Sequence, residues 1–122
     1  MNSNKPYNRV DRINRQILDI LSDILIKYID LSHLGFITFT SVDVAPDLRS
    51  AKVFYSVLSG KLSVSKIEIE MNKKQKAFKK FMSPQLSLRY TPDIRFILDE
   101  TLAYSEKIDN LLKNPNKIQR SK

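Results

Sequence analysis

Five lysines, Lys73, Lys74, Lys76, Lys79 and Lys80, fall within eight residues with no acidic residue among them. Ammonium groups at this density suit the binding of a polyanion, and lysine–phosphate contacts position a nucleic acid without reading its bases. Arg89 and Tyr90 follow a few residues later. They offer a phosphate contact and a ring on which a base can stack. Equally, Tyr90 is a core residue and Arg89 an edge-strand charge that discourages aggregation; the sequence leaves both readings open. Arg9, Arg12 and Arg15 read first as ordinary surface charge, with Arg9 and Arg12 as secondary RNA-binding candidates. His33 is the single histidine and lies in a loop without a partner pattern, so it reads as a surface residue. Nothing has the spacing of a metal site, a P-loop or a catalytic triad. No enzyme activity, cofactor, metal or small-molecule substrate is expected.

The balance of the chain points the same way. Its 122 residues carry 21 Lys and Arg against 13 Asp and Glu, a net charge of +8. Such a balance favours a polyanionic partner, nucleic acid first and an anionic membrane surface second. The length suits one domain, and 42% apolar content is enough for a core. No apolar run approaches the roughly 18–20 residues of a membrane span, and Met1 to Tyr7 has no apolar leader core. With no cysteine, disulfides and thiolate metal sites are excluded and a cytoplasmic location is the expectation. The lack of a heptad seam leaves a monomer as the default.

Several elements must position these residues. Val10, Ile13, Ile17, Ile20, Leu21, Ile24 and Tyr28 form one apolar stripe at helical spacing, behind Asn8 as a cap. The pattern predicts a helix ending near Ile29 or Asp30. Gly35 is free to take a positive φ in the loop that follows. Phe36 to Val44 reads as a strand whose alternation changes parity, Ile37 and Phe39 against Val42 and Val44. A one-residue bulge near Ser41 reconciles the two halves. After the turn Ala45-Pro46-Asp47-Leu48, Ser50 to Leu58 is a second strand, antiparallel to the first. Ser63 or Ser65 caps the next helix. Asp93 to Leu98 is a third strand, and Asp99 caps a final helix with a stripe of Leu102, Ile108, Leu111 and Leu112.

The helix carrying the lysines does not close as one straight rod. At about 100° per residue, Met71, Phe78, Phe81 and Met82 fall within about 60° of Ile67, but so does Lys74, about 20° away. Burying an unpaired lysine costs several kcal/mol. Either Lys74 snorkels, its stem on the core and its ammonium in water, or the helix breaks. The break is the preferred reading: centred on Lys74-Gln75-Lys76, restarting at Ala77, and ending before Ser83-Pro84. A second helix start would expose backbone N–H groups that attract phosphate.

From about Arg9 to Leu112 the chain resembles the ribosome-binding factor A family. The resemblance is carried by Arg9-Val10, Leu34-Gly35, Asp47-Leu48 with Ala51-Lys52-Val53, and above all by Leu88-Arg89-Tyr90-Thr91-Pro92-Asp93-Ile94-Arg95-Phe96 with Asp99 after it. It implies an α+β, type-II KH-like domain of order α-β-β-α(kinked)-β-α, a small three-stranded mixed sheet with helices packed on one face. It also implies binding to 16S ribosomal RNA and its precursor within the immature 30S subunit during late maturation, without catalysis. The family kink is usually Ala-x-Gly; here Lys74-Gln75-Lys76 stands in its place, a departure that removes the glycine and adds charge. The expected organisation is an N-terminal arm over residues 1–7, a KH-like RNA-binding domain over 8–113 and a basic tail over 114–122. The alternative is a basic adaptor that binds a protein partner or an anionic membrane surface through the Lys66–Met82 segment.

Overall fold

The computed structural model describes residues 8–100. Helix α1 (Arg9–Lys27) begins where Asn8, in an extended conformation, accepts the Asp11 backbone N–H on its side chain at 2.8 Å. That bond satisfies one of the orphan donors of the first turn. Ile13, Ile17, Leu21 and Ile24 form its buried stripe, flanked by half-buried Val10 and Ile20. The helix ends short of the expected Ile29 or Asp30, with Tyr28 as its C-cap. Tyr28 does not complete the buried stripe. Its ring is 59% exposed and stacks on Phe81, centroids 4.7 Å apart. The chain then turns through buried Ile29, Leu31 and Leu34. Gly35 sits at φ 130°, where a Cβ would lie 2.9 Å from the Leu58 carbonyl oxygen, so both conformation and space require glycine.

Strands β1 (Phe36–Val44), β2 (Ser50–Leu58) and β3 (Asp93–Leu98) fall where their β-branched alternation places them. Their order is β1-β2-β3, with β1 antiparallel and β3 parallel to β2, so the sheet is mixed. Phe39 opposes Tyr55 and Ser41 opposes Phe54, which leaves Thr40 as the extra residue of a bulge. The bulge turns Val42 and Val44 to the same buried face as Ile37 and Phe39. Thr40 Oγ1 donates to Asp99 Oδ2 at 2.8 Å, tying the bulge to the end of β3. The final helix expected beyond Asp99, together with the arm and the tail, lies outside the described residues.

The crossover from β2 to β3 is helical. α2 (Val64–Asn72) buries Ile67 and Met71, and α3 (Gln75–Met82) buries Phe78 and Met82, against the sheet face that α1 also covers. At the centre, Phe78 packs edge-on to Phe39 and Phe96 at 5.6 and 5.3 Å. The other sheet face presents Phe36, Thr38, Lys52, Leu58 and Arg95 to solvent. The result is the small α+β architecture with a three-stranded mixed sheet and helices on one face.

One core group is out of register with its surroundings. The Tyr55 hydroxyl is buried and has no hydrogen-bond partner among the described residues. Burial first, and the charge of Glu68 second, push its phenol up to about 12. Because the folded phenol resists ionisation, stability is undiminished below the unfolded value of about 10 and falls as pH climbs from there towards 12. Tyr55→Phe removes the orphaned group. It is expected to leave stability at pH 7 unchanged or raise it by about 1 kcal/mol. Melting curves taken from pH 8 to 11.5 should show the wild type falling more steeply than the variant.

Candidate nucleic-acid interface

The helix carrying the lysine cluster is broken. Ser63 caps α2, its Oγ accepting the Lys66 N–H at 3.3 Å, which settles the choice between Ser63 and Ser65. α2 ends at Asn72 and α3 restarts at Gln75, two residues before the expected restart at Ala77. The break therefore lies at Lys73-Lys74, just ahead of the predicted centre. Its backbone needs no glycine: Lys73 has φ −67° and ψ −18°, Lys74 φ −94° and ψ 4°. Both values are open to any L-residue. Lys76, where the family pattern has glycine, lies in the first turn of α3. The turn of the chain brings Lys74 out of the apolar stripe to a half-buried position, which resolves the conflict seen in the helical projection.

A residue that sequence reasoning missed, Asn72, holds the break. Among the described residues β3 is an edge strand, so Phe96 presents an N–H and a carbonyl with no neighbouring strand to receive them. Asn72 meets both: its Oδ1 accepts the Phe96 N–H at 2.9 Å and its Nδ2 donates to the Phe96 carbonyl at 3.0 Å. Nδ2 also donates to the Glu68 carbonyl at 2.9 Å, and Oδ1 accepts from Gln75 Nε2 at 2.7 Å. One amide thus joins the end of α2, the start of α3 and the open edge of the sheet. The only signal in the sequence was a poor helix former at the end of an apolar stripe.

The five lysines are not equivalent. Lys73 pairs with Glu70 at 3.0 Å, and Lys79 with Asp93 at 2.6 Å. The hydrogen bond from Lys73, ahead of its charge, holds the Glu70 carboxyl below its ordinary range. Lys74, Lys76 and Lys80 form no ion pair among the described residues. An uninterrupted run of positive charge in the sequence is therefore partly neutralised in space by carboxylates from outside the run. Pairs this exposed contribute little to stability and can exchange for phosphate. At the start of α3, Lys74 supplies no side-chain hydrogen bond as N-cap, so lysine charge and an uncapped first turn coincide.

Arg89 and Tyr90 lie in the segment that leads into β3. Tyr90 is 55% exposed, so it is not a core residue. The guanidinium carbons of Arg89 and of Arg49 lie 5.6 and 5.2 Å from its ring centroid. Arg49, unassigned from the sequence, arrives from the β1–β2 turn, where its carbonyl accepts the Asp93 N–H at 2.9 Å. Arg9 and Arg12 are exposed on the first turns of α1. Asn14 Oδ1 accepts the Val44 N–H at 2.8 Å, which sets that half of α1 at the β1–β2 turn end of the sheet, the end occupied by Arg49. The predicted residues thus gather at the helix break and at this end of the sheet, and Lys79, through Asp93, joins α3 to that end.

The fold and its surface define a class: a small α+β domain that presents basic side chains on a broken helix pair and at one end of its sheet. Among the described residues no helix is long and apolar enough to cross a membrane. The ribosome-binding factor A family matches residues 9–112. A ribosome-binding factor A from Pediococcus pentosaceus is 38% identical over 113 residues, 92% of this chain and 95% of that one. A solution structure of a Thermotoga maritima protein, a putative ribosome-binding factor A, superposes with a TM-score of 0.64 at 26% identity, covering 76% of this chain and 89% of that one. A homology structure of the Thermus thermophilus factor, fitted into a cryo-electron-microscopy map of its complex with the 30S subunit, has a TM-score of 0.54 at 13% identity, over 69% of this chain and 88% of that one. The chain belongs to the ribosome-binding factor A family.

Proposed function

We propose that this protein is a cytoplasmic, monomeric assembly factor that binds the immature 30S subunit and assists late maturation and 16S rRNA processing without catalysis. The observation that carries the reading is the broken helix pair, with Lys74, Lys76 and Lys80 along α3 in no ion pair among the described residues. Family membership and the 30S complex of the Thermus thermophilus relative support the choice of partner. The contacts are of the phosphate-positioning kind, with specificity set by RNA shape, as a KH-like domain lacking a base-reading code would require. Lys73 and Lys79 join by exchanging Glu70 and Asp93 for phosphate.

Co-sedimentation with 30S particles tests this. Lys74→Glu/Lys76→Glu/Lys80→Glu is expected to weaken binding at least about tenfold and to lower the dependence on log[salt] by roughly 2 to 3. Its melting temperature should match the wild type, because none of the three side chains is in the core. Undiminished binding at low salt would sink the proposal. The alternative, an adaptor for a protein or an anionic membrane, draws on exposed Val64 and Ile69 beside Lys66 and Lys73. Binding to anionic liposomes with no gain from added ribosomal RNA would favour it.

A further inference from the structure

We infer that Arg49, Tyr90 and Arg89 form a second contact site, for an unpaired RNA strand, at the β1–β2 turn end of the sheet. The inference rests on the RNA-binding reading above and adds to it a site and a ligand class. Two guanidinium groups from different parts of the chain converge on one exposed ring, at 5.2 and 5.6 Å from its centroid. Like charges brought together in this way call for a counter-charge, yet no carboxylate forms an ion pair with either arginine among the described residues. The two carboxylates closest in sequence are engaged elsewhere. Asp47 accepts the Arg49 backbone N–H at 3.1 Å, and Asp93 accepts from Lys79.

The corner is also preorganised. Arg49 is held by that Asx turn and by its carbonyl's bond to the Asp93 N–H, so its side chain leaves a fixed backbone at the end of the sheet. A guanidinium lying on an aromatic ring spends its π face there, while its N–H groups, which lie in the guanidinium plane, remain available to phosphate oxygens. The exposed part of the Tyr90 ring offers a surface to a base. That combination suits a single strand. In an A-form duplex the base faces are stacked on one another and no ring can reach them.

Fluorescence anisotropy with a labelled, roughly 12-nucleotide single strand of mixed sequence, with the same strand in a duplex, and pelleting with 30S particles together decide the matter. Arg49→Gln/Arg89→Gln and Tyr90→Ala are expected to weaken single-strand binding about tenfold each and to leave duplex binding within about twofold. Tyr90→Phe should restore wild-type affinity, since stacking needs the ring and not the hydroxyl. All three positions are exposed, and circular dichroism should show unchanged melting. Wild-type affinity of Arg49→Gln/Arg89→Gln for the single strand overturns this inference, even with 30S binding intact and sensitive to the α3 lysines. Failure of the wild type to bind either 30S particles or RNA overturns the functional reading and this inference with it.

Discussion

Asn72→Ala is expected to lower the unfolding free energy by about 2–3 kcal/mol. The estimate follows from what the amide leaves behind. Without it, the Phe96 N–H and carbonyl at the β3 edge, both only partly exposed, lose their bonds of 2.9 and 3.0 Å, and Gln75 loses its acceptor. Water can reach this edge in part, which keeps the figure well below the cost of two fully buried orphans. Asn72→Asp is a sharper probe: it retains an acceptor for the Phe96 N–H but sets a carboxylate against the Phe96 and Glu68 carbonyls. It should be at least as destabilising at neutral pH as alanine. Urea unfolding at pH 7 checks both. If the amide also sets the break, each variant should weaken 30S binding at temperatures where it remains folded, because the lysines around α3 are then no longer held relative to the sheet. Equal stability of Asn72→Ala and wild type would remove Asn72 from this role.

Phe78→Ala should have the larger effect, about 3–5 kcal/mol. Phe78 is fully buried at the meeting point of α3 with β1 and β3, edge-on to Phe39 and Phe96. Truncation leaves a cavity bounded by two rigid rings and by strands that cannot collapse into it. A domain of this size commonly has about 5–15 kcal/mol in total, so the variant sits close to unfolding at ambient temperature. Phe78→Leu keeps most of the volume and should cost about 1.5 kcal/mol. Urea midpoints rank the three proteins, and loss of near-ultraviolet dichroism reports loss of fixed aromatic packing. The outcome separates two ways of losing 30S binding. Phe78→Ala loses it together with the fold, whereas the α3 lysine variant loses it with the fold intact. A midpoint for Phe78→Ala within error of wild type would contradict the packing described.

Much of this architecture was legible along the chain. The three strands have the bounds that their β-branched alternation predicts, and the bulge follows from the change of parity between Phe39 and Val42. The helix break was legible too, because a straight helix would have buried Lys74 among Met71 and Phe78. Its location was shifted slightly, since the residue that sets it makes its decisive bonds to Phe96, 24 residues away. Tyr28 was misplaced for a similar reason. Helical spacing puts it on the apolar stripe, but the helix has ended by then and the ring finds Phe81 at the surface.

Local patterning by itself therefore determined the elements, their buried faces, the excess of positive charge and the family. The elements and their faces depend on side chains a few residues apart, where helical or strand periodicity brings neighbours together, the charge on composition, and the family on motifs spread along the chain. Tertiary structure alone decided which cations remain available and where they stand. Lys79 finds Asp93 at a separation of 14 residues, and Arg49 reaches Tyr90 from the β1–β2 turn. Contacts of that span arise from strand order and helix docking, which no periodicity records, and they decide which lysines of the run are paired and which arginines meet at one ring.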